Sequence, residues 1–214
     1  MKLEDINTGV FISPVDGKSI PSYLKEHSSK GDEHVLYQKI VGAANPYKEG
    51  DEAVGVCAGD EESRERARCL ILNTELSFFH SHPLHIDELQ KYIWSVVDES
   101  AFSKIKNWTM QKLKDFLLNS PEEEIKQTMV GLNSDIIGCM VKTLTNSELC
   151  IIGKKVFNPL PESNIGGKGY LSARIQPNSP TDNPQEIIMQ VFNGWAYATG
   201  DLILGIYFIF KIKN

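Results

Sequence analysis

The sequence of the last third of the chain predicts a strand, a helix and a second strand in succession. This order constrains the possible fold more than any other feature of the sequence. Residues 170–178, "YLSARIQPN", are typical of a strand, and the segment after them is typical of a helix that ends near Gly200. The run 202–210 is almost continuously apolar, as in a strand buried on both faces. Two strands joined through a helix lie parallel. The predicted fold class is therefore α/β, with strands at about 169–176 and 202–210 flanking a helix at about 182–199.

Three regions follow from the change in pattern along the chain. Residues 1–52 mix Gly, Pro, Ser and charge, which predicts an irregular or partly helical lead-in, and residues 1–45 receive no role. Residues 53–153 carry repeated helix signals, and residues 154–214 hold the strand-helix-strand segment.

Three local signals support the helical middle region. Asp60 precedes an acidic first turn and predicts an N-cap, and Ser120 before Pro121 and three glutamates predicts another. The segment "LHIDELQKYIWSVVDES" places Ile86, Leu89, Ile93 and Val96 or Val97 on one face of a helix.

Charge and apolar content exclude several partner classes. A net charge of −6 and a pI of about 5.4 argue against a nucleic-acid partner, which selects clustered Lys and Arg. A membrane span needs about 20 apolar residues, and the run 202–210 is less than half as long. The N-terminus lacks the basic start and apolar run of a secretory signal. The four cysteines, at scattered spacings, are expected to be reduced thiols of a cytoplasmic protein.

The stretch "FFHSHPLHID" brings His80, His82 and His85 close together in sequence. His-Ser-His-Pro resembles the zinc-binding core of the metalloproteases that remove ubiquitin-like tags, but the positions where that site needs a Ser and an Asp are Gln90 and Ile93. Three imidazoles can still bind a metal adventitiously. The favoured interpretation is a polar turn before a helix, and no metal site is predicted.

A second candidate site is "SARIQPN". On a strand, Arg174 and Gln176 lie two residues apart, so their side chains project from one face. A guanidinium beside an amide suits a small polar substrate through directed hydrogen bonds. The equal alternative is that Arg174 pairs with a carboxylate of a helix.

The chain resembles the N-terminal portion of the large subunit of ethanolamine ammonia-lyase. Five stretches carry the resemblance, in the family's order, from about residue 49 to 206: "EGDEAVGVCAGDEESRERARCLI", "AFSKIKNWTMQKLKDFLLN", "GLNSDIIGCMVKTLTNSELCIIGKK", "YLSARIQPNSPTDNPQEIIMQVFNGWAYATGD" and "GDLILGI". The resemblance implies an adenosylcobalamin-dependent radical elimination that converts ethanolamine to acetaldehyde and ammonia.

The resemblance also implies a structure and partners. It predicts an N-terminal helical region followed by the first βαβ unit of an incomplete TIM (β/α)₈ barrel. Arg174 and Gln176 match the substrate-binding Arg and Gln of the family's SAR-x-QPN motif. Other large subunits and a small subunit are the implied partners. The implied location is the cytoplasm, where the family is also found inside a protein-shelled bacterial microcompartment.

The chain departs from the family pattern near its end. Where the family has an Asn that contacts substrate and a residue near the cofactor, this sequence has Tyr207 and Phe208. The family's catalytic carboxylates have no counterpart here, so no catalytic residue and no cofactor-binding residue is assigned. We expect a truncated form that stops after the second barrel strand.

Two hypotheses follow for the function. In the first, the chain is an ethanolamine ammonia-lyase homologue that is unable to catalyse the reaction alone and needs another polypeptide to supply the rest of the site. In the second, it is a non-catalytic remnant or subunit-interaction module whose helical region docks on a partner.

Overall fold

The computed structural model describes residues 9–170, 173–177, 183–197 and 202–204. The chain divides into two compact units, Met1–Val156 and Phe157–Asn214. The helices of the first unit are α1 (Ile20–His27), α2 (Glu33–Ala43), α3 (Glu49–Ala53), α4 (Glu61–Leu72), α5 (Leu76–Ser81), α6 (Glu88–Ser95), α7 (Glu99–Ile105), α8 (Met110–Asn119), α9 (Glu122–Met129), α10 (Ser134–Thr143) and α11 (Asn146–Gly153).

Side-chain caps fix where several of these helices begin. The Asp60 carboxylate accepts a hydrogen bond from the Ser63 backbone N–H at 2.6 Å, which confirms the predicted cap of α4. The predicted cap at Ser120 is wrong by one residue. Pro121 has extended geometry (φ −70°, ψ 161°) and occupies the N-cap position, so helical geometry starts only at Glu122.

The core of the first unit lies where α2, α4, α5, α8 and α10 meet. Its fully buried side chains are mostly aliphatic or aromatic and come from segments far apart in sequence. The largest are Tyr37, Phe79, Ile12, Ile20, Ile40, Leu70, Ile71, Leu76, Met110, Leu113 and Ile136. Removal of this apolar surface from water is the main stabilising contribution to the helical unit.

Buried hydrogen bonds attach the N-terminal segment to α4 and to the turn that follows it. The backbone N–H of Ile12 donates to Ser63 Oγ at 3.0 Å, and that of Ile20 donates to Thr74 Oγ1 at 2.8 Å. Thr74 is fully buried and in turn donates to the Leu70 carbonyl at 2.7 Å. These polar side chains satisfy backbone groups that would be costly to bury unpaired.

Of the apolar face predicted for "LHIDELQKYIWSVVDES", Leu89 and Ile93 lie on α6, and neither belongs to the core. Leu89 and Val96 are each 66% exposed, and Ile86 just before the helix is 75% exposed. The spacing of apolar residues therefore predicts which residues share a face, but it does not predict whether that face is buried or exposed.

The second unit contains β1 (Ala173–Ile175), α12 (Pro184–Tyr197) and β2 (Leu202–Leu204). The two strands pair in parallel, with Arg174 opposite Ile203. The rest of the predicted strand at 202–210 lies outside the described residues.

The predicted fold class is wrong. Throughout the described residues the chain is overwhelmingly helical, and its strands contribute three residues each. A ladder of three residue pairs is too short to form the layer that defines an α/β fold, and within the described ranges no part of a TIM barrel is seen. The prediction rested on two strands and the helix between them, whereas helix caps and amphipathic periods govern most of the described residues.

Candidate functional site

The predicted substrate-binding residues lie at and just beyond β1. Arg174 is the middle residue of the strand, and Gln176 follows its carboxyl end with an exposed side chain. Pro177, next along the chain, has no N–H with which to extend a ladder. Gln176 is thus accessible to a ligand in solution.

The segment after β1 leads into α12, whose start is held by a local cap. The Asn183 side-chain oxygen accepts a hydrogen bond from the Gln185 backbone N–H at 2.9 Å, which satisfies one of the free donors of the first turn. Tyr207 and Phe208, the positions matched to the family's substrate and cofactor contacts, lie outside the described residues.

His80 packs against aromatic rings near the start of α7. Its ring centroid lies 4.1 Å from that of Phe102 and 6.1 Å from that of Trp94, with both pairs nearly parallel. Its Nε2 lies 3.4 Å from Glu99 Oε1. The Nδ1 atom of His80 and the Nε1 atom of Trp94 are buried without a hydrogen-bond partner in the described part of the chain. These contacts give His80 a packing role between α5, α6 and α7.

The other two histidines have separate surroundings. His82 Nδ1 lies 2.9 Å from Ser81 Oγ and 3.0 Å from the Phe78 carbonyl oxygen, and its ring stacks on Phe78 at 4.4 Å. His85 is exposed and lines a cavity to which neither His80 nor His82 contributes. Across residues 9–170 and the later described segments, no three His, Cys, Asp or Glu side chains gather as they would around a metal ion.

That cavity, which we call the α2–α10 cavity, has a volume of about 460 Å³. Four segments distant in the sequence form it: α2, the turn after α3, the turn after α5, and α10. Its lining residues are Gln38, Val41, Gly42, Val54, Val56, Leu84, His85 and Lys142. The cavity is largely apolar with a few polar groups, as small-molecule sites usually are.

Two hydrogen bonds hold the His85 turn in place at the α2–α10 cavity. Gln38 Nε2 donates to the Leu84 carbonyl at 3.0 Å, and the Leu84 backbone N–H donates to Asp135 Oδ2 at 3.3 Å. Burial raises the pKa of the Asp135 carboxyl, against the opposing effects of the Leu84 N–H and of His85. The turn is thus fixed to α2 on one side and to α10 on the other.

Lys142 is the charged side chain that sequence reasoning missed. It is half-buried and donates a hydrogen bond to Asn45 Oδ1. Burial lowers the pKa of its ammonium, and Lys48 acts in the same direction, while Cys139 and Asp51 oppose the shift. One signal was available: Asp135, Cys139 and Lys142 recur at four and three residue steps, on one face of α10. The cavity residues on α2 show no comparable pattern in the sequence.

The described helices include none that is both long enough and apolar enough to cross a bilayer.

Comparison with known proteins gives a consistent result. The model of the family described as "Ethanolamine ammonia lyase large subunit (EutB)" matches residues 34–209. The ethanolamine ammonia-lyase large subunit of Escherichia coli (strain K12) is 28% identical over 176 residues, which is 79% of this chain and 39% of that relative. The Salmonella typhimurium (strain LT2) large subunit is 28% identical over 177 residues, with the same two shares. The chain thus spans about two fifths of the length of these relatives.

Proposed function

We propose a function for this chain on the basis of its family: the chain belongs to the family of the ethanolamine ammonia-lyase large subunit. The chain supplies the substrate-orienting part of an enzyme that converts ethanolamine to acetaldehyde and ammonia with adenosylcobalamin. The observation that carries this proposal is that the family match runs through both units and includes the segment with Arg174 and Gln176.

Arg174 and Gln176 are proposed to bind ethanolamine. A guanidinium donates from a fixed planar fork, whereas the amide of Gln176 both donates and accepts, so the hydroxyl of an amino alcohol can be held in one orientation. The exposed position of Gln176 directly after β1 supports this role. Adenosylcobalamin, when bound, supplies the radical that removes one hydrogen, and orientation of the substrate decides which hydrogen is removed.

The test is ammonia release in a reconstituted mixture. This chain, the part of the E. coli large subunit that it does not match, and the family's small subunit are expressed separately and combined with ethanolamine and adenosylcobalamin. We expect ammonia only when all components are present, and none when this chain is omitted. Release that is unchanged without this chain would contradict the proposal.

A second candidate function is a non-catalytic subunit-interaction module. Exposed apolar side chains on α6 and directly after it favour this function: Leu89, Tyr92 and Val96 are each 66% exposed. Stable co-purification of the chain with the small subunit or the remaining large-subunit part, without ammonia release in the same mixture, would favour this second function over the first.

A further inference from the structure

We propose that Lys142 in the α2–α10 cavity is a reactive amine that captures short aliphatic aldehydes as an imine. The proposal goes beyond the proposed function, because the cavity lies in the helical unit and shares no residue with the segment that carries Arg174 and Gln176. Four observations carry it: the neutral hydrogen-bond partner of the amine, its burial, the apolar walls of the cavity, and an imidazole in the same lining.

The Lys142 amine has a neutral hydrogen-bond partner. Its hydrogen-bond acceptor is the neutral amide oxygen of Asn45, and within the described ranges no carboxylate lies in ion-pair contact with it. Asp51 raises the pKa of Lys142, and its Oδ2 accepts a hydrogen bond from Asn45 Nδ2 at 3.0 Å. A lysine held in this way is not locked into its charged form by an ion pair.

Burial is the second observation. Lys142 is half-buried among apolar side chains, and desolvation disfavours an ammonium, so a larger share of its amine is neutral than for a lysine in water. The charged and titratable groups around it are Lys48 and Asp51 near α3, Asp135 and Cys139 on α10, and His85 in the turn after α5. Desolvated lysines of this kind form Schiff bases with carbonyl compounds.

The walls select the carbonyl compound. Val41, Val56 and Leu84 present aliphatic surface to a cavity of about 460 Å³, which accommodates a short alkyl chain. The polar side chains among its lining residues are Gln38, His85 and Lys142. A short aliphatic aldehyde places its carbonyl carbon against the amine and its alkyl group against these side chains. Acetaldehyde, the product of the proposed reaction, belongs to this class.

The step balances without a further reactant. The neutral amine of Lys142 attacks the carbonyl carbon, the carbonyl oxygen gains a proton, and the resulting carbinolamine loses one water to give the imine. The imidazole of His85 lines the same cavity and can donate and accept the protons that this sequence moves. Hydrolysis reverses the step, so the site captures the aldehyde and can release it again.

The experiment is reductive trapping followed by peptide mass spectrometry. The folded chain is incubated with acetaldehyde and cyanoborohydride near neutral pH, and the added ethyl group is counted at each lysine. Lys91 is the matched internal control, because it lies on a helix, is 61% exposed and pairs with Glu88 at 2.6 Å. We expect ethylation of Lys142 to be severalfold faster than that of Lys91, and this preference to vanish in urea. Equal rates in the folded chain, or a preference that survives in urea, would overturn the proposal.

Two variants extend the test. Lys142→Arg keeps the charge and a donor toward Asn45 but removes the nucleophile, so the labelled peptide should lose its ethyl group while far-UV circular dichroism is unchanged. Val56→Asp adds a carboxylate to the cavity wall and should slow trapping at Lys142 without changing that at Lys91.

A competition experiment separates an aldehyde site from a carboxylate site. If butyrate protects Lys142 from ethylation more strongly than butyraldehyde does, the result would contradict an aldehyde site and indicate a carboxylate site instead. None of these readouts depends on ammonia release, so failure here and failure of the proposed function are distinguishable.

Discussion

The Cys139 thiol faces the core next to the α2–α10 cavity and is 1% exposed. Burial raises its pKa to about 12, although Lys142 acts in the opposite direction. Because the thiolate is the nucleophile, we expect iodoacetamide to alkylate the exposed Cys69 and Cys150 in the folded chain and to leave Cys139 unmodified. Mass spectrometry of the alkylated peptides checks this. Cys139 should react only after unfolding, and labelling at the rate of Cys69 would contradict the description of this core.

Glu148 gives the chain a pH dependence through its place in the capping box of α11. Its carboxylate accepts from the Thr145 backbone N–H at 2.7 Å and lies 2.9 Å from Lys114 Nζ, and both contacts lower its pKa. A carboxyl whose pKa is lower in the folded than in the unfolded chain stabilises at pH values above its unfolded pKa. That contribution is lost as the pH falls through the folded pKa.

We therefore expect Glu148→Gln to lower the free energy of unfolding by roughly 0.5–1 kcal/mol at neutral pH and by less in acid. Urea titrations at both pH values measure the difference. Glu124→Gln, at an exposed position on α9, is the control and should change little. A Glu148→Gln effect that stays constant across this pH range would show that the carboxylate contacts do not stabilise the fold.

At the scale of elements, the approach of the α9–α10 turn to α7 depends on Gly131. A Cβ atom at Gly131 would lie 2.5 Å from the Phe102 backbone nitrogen, whereas one at Gly138, on the exposed side of α10, would meet nothing within 4 Å. We expect Gly131→Ala to destabilise the chain by about 1–3 kcal/mol. Gly138→Ala, in contrast, should stabilise it by about 0.5–1 kcal/mol, because alanine favours a helix. Thermal unfolding of both variants checks the pair, and equal shifts in Tm would contradict the close contact with α7.

Helix positions in this chain were readable from local chemistry, whereas their burial was not. Asp60 could be assigned as a cap because its carboxylate accepts a hydrogen bond from the backbone N–H of Ser63, three residues later in the chain. This contact is local and needs no tertiary structure. The exposure of Leu89 and Val96 depends instead on which neighbours α6 packs against. The helices α5 and α7 were not predicted individually because they have six and seven residues, fewer than two full turns and too few to display a period.

At the scale of the whole molecule, motifs within one short segment could be predicted from the sequence, whereas sites assembled from distant segments could not. Arg174 and Gln176 could be picked out because they stand two residues apart in one extended segment. The α2–α10 cavity could not, since its walls come from segments as far apart as Gln38 and Lys142. The α/β class was wrong for a related reason: three-residue strands are a small part of a chain whose described residues are mainly helical.

The central claim, that this chain orients ethanolamine in an ethanolamine ammonia-lyase, is tested most directly by the initial rate of ammonia release at saturating ethanolamine. The reconstituted mixture is compared with one in which the chain carries Arg174→Ala, with Lys142→Arg as the matched control away from the proposed substrate site. We predict a rate at least about tenfold lower for Arg174→Ala, as for loss of a charged positioning contact, and an unchanged rate for Lys142→Arg. Equal rates for wild type and Arg174→Ala, with both chains folded, would contradict the claim.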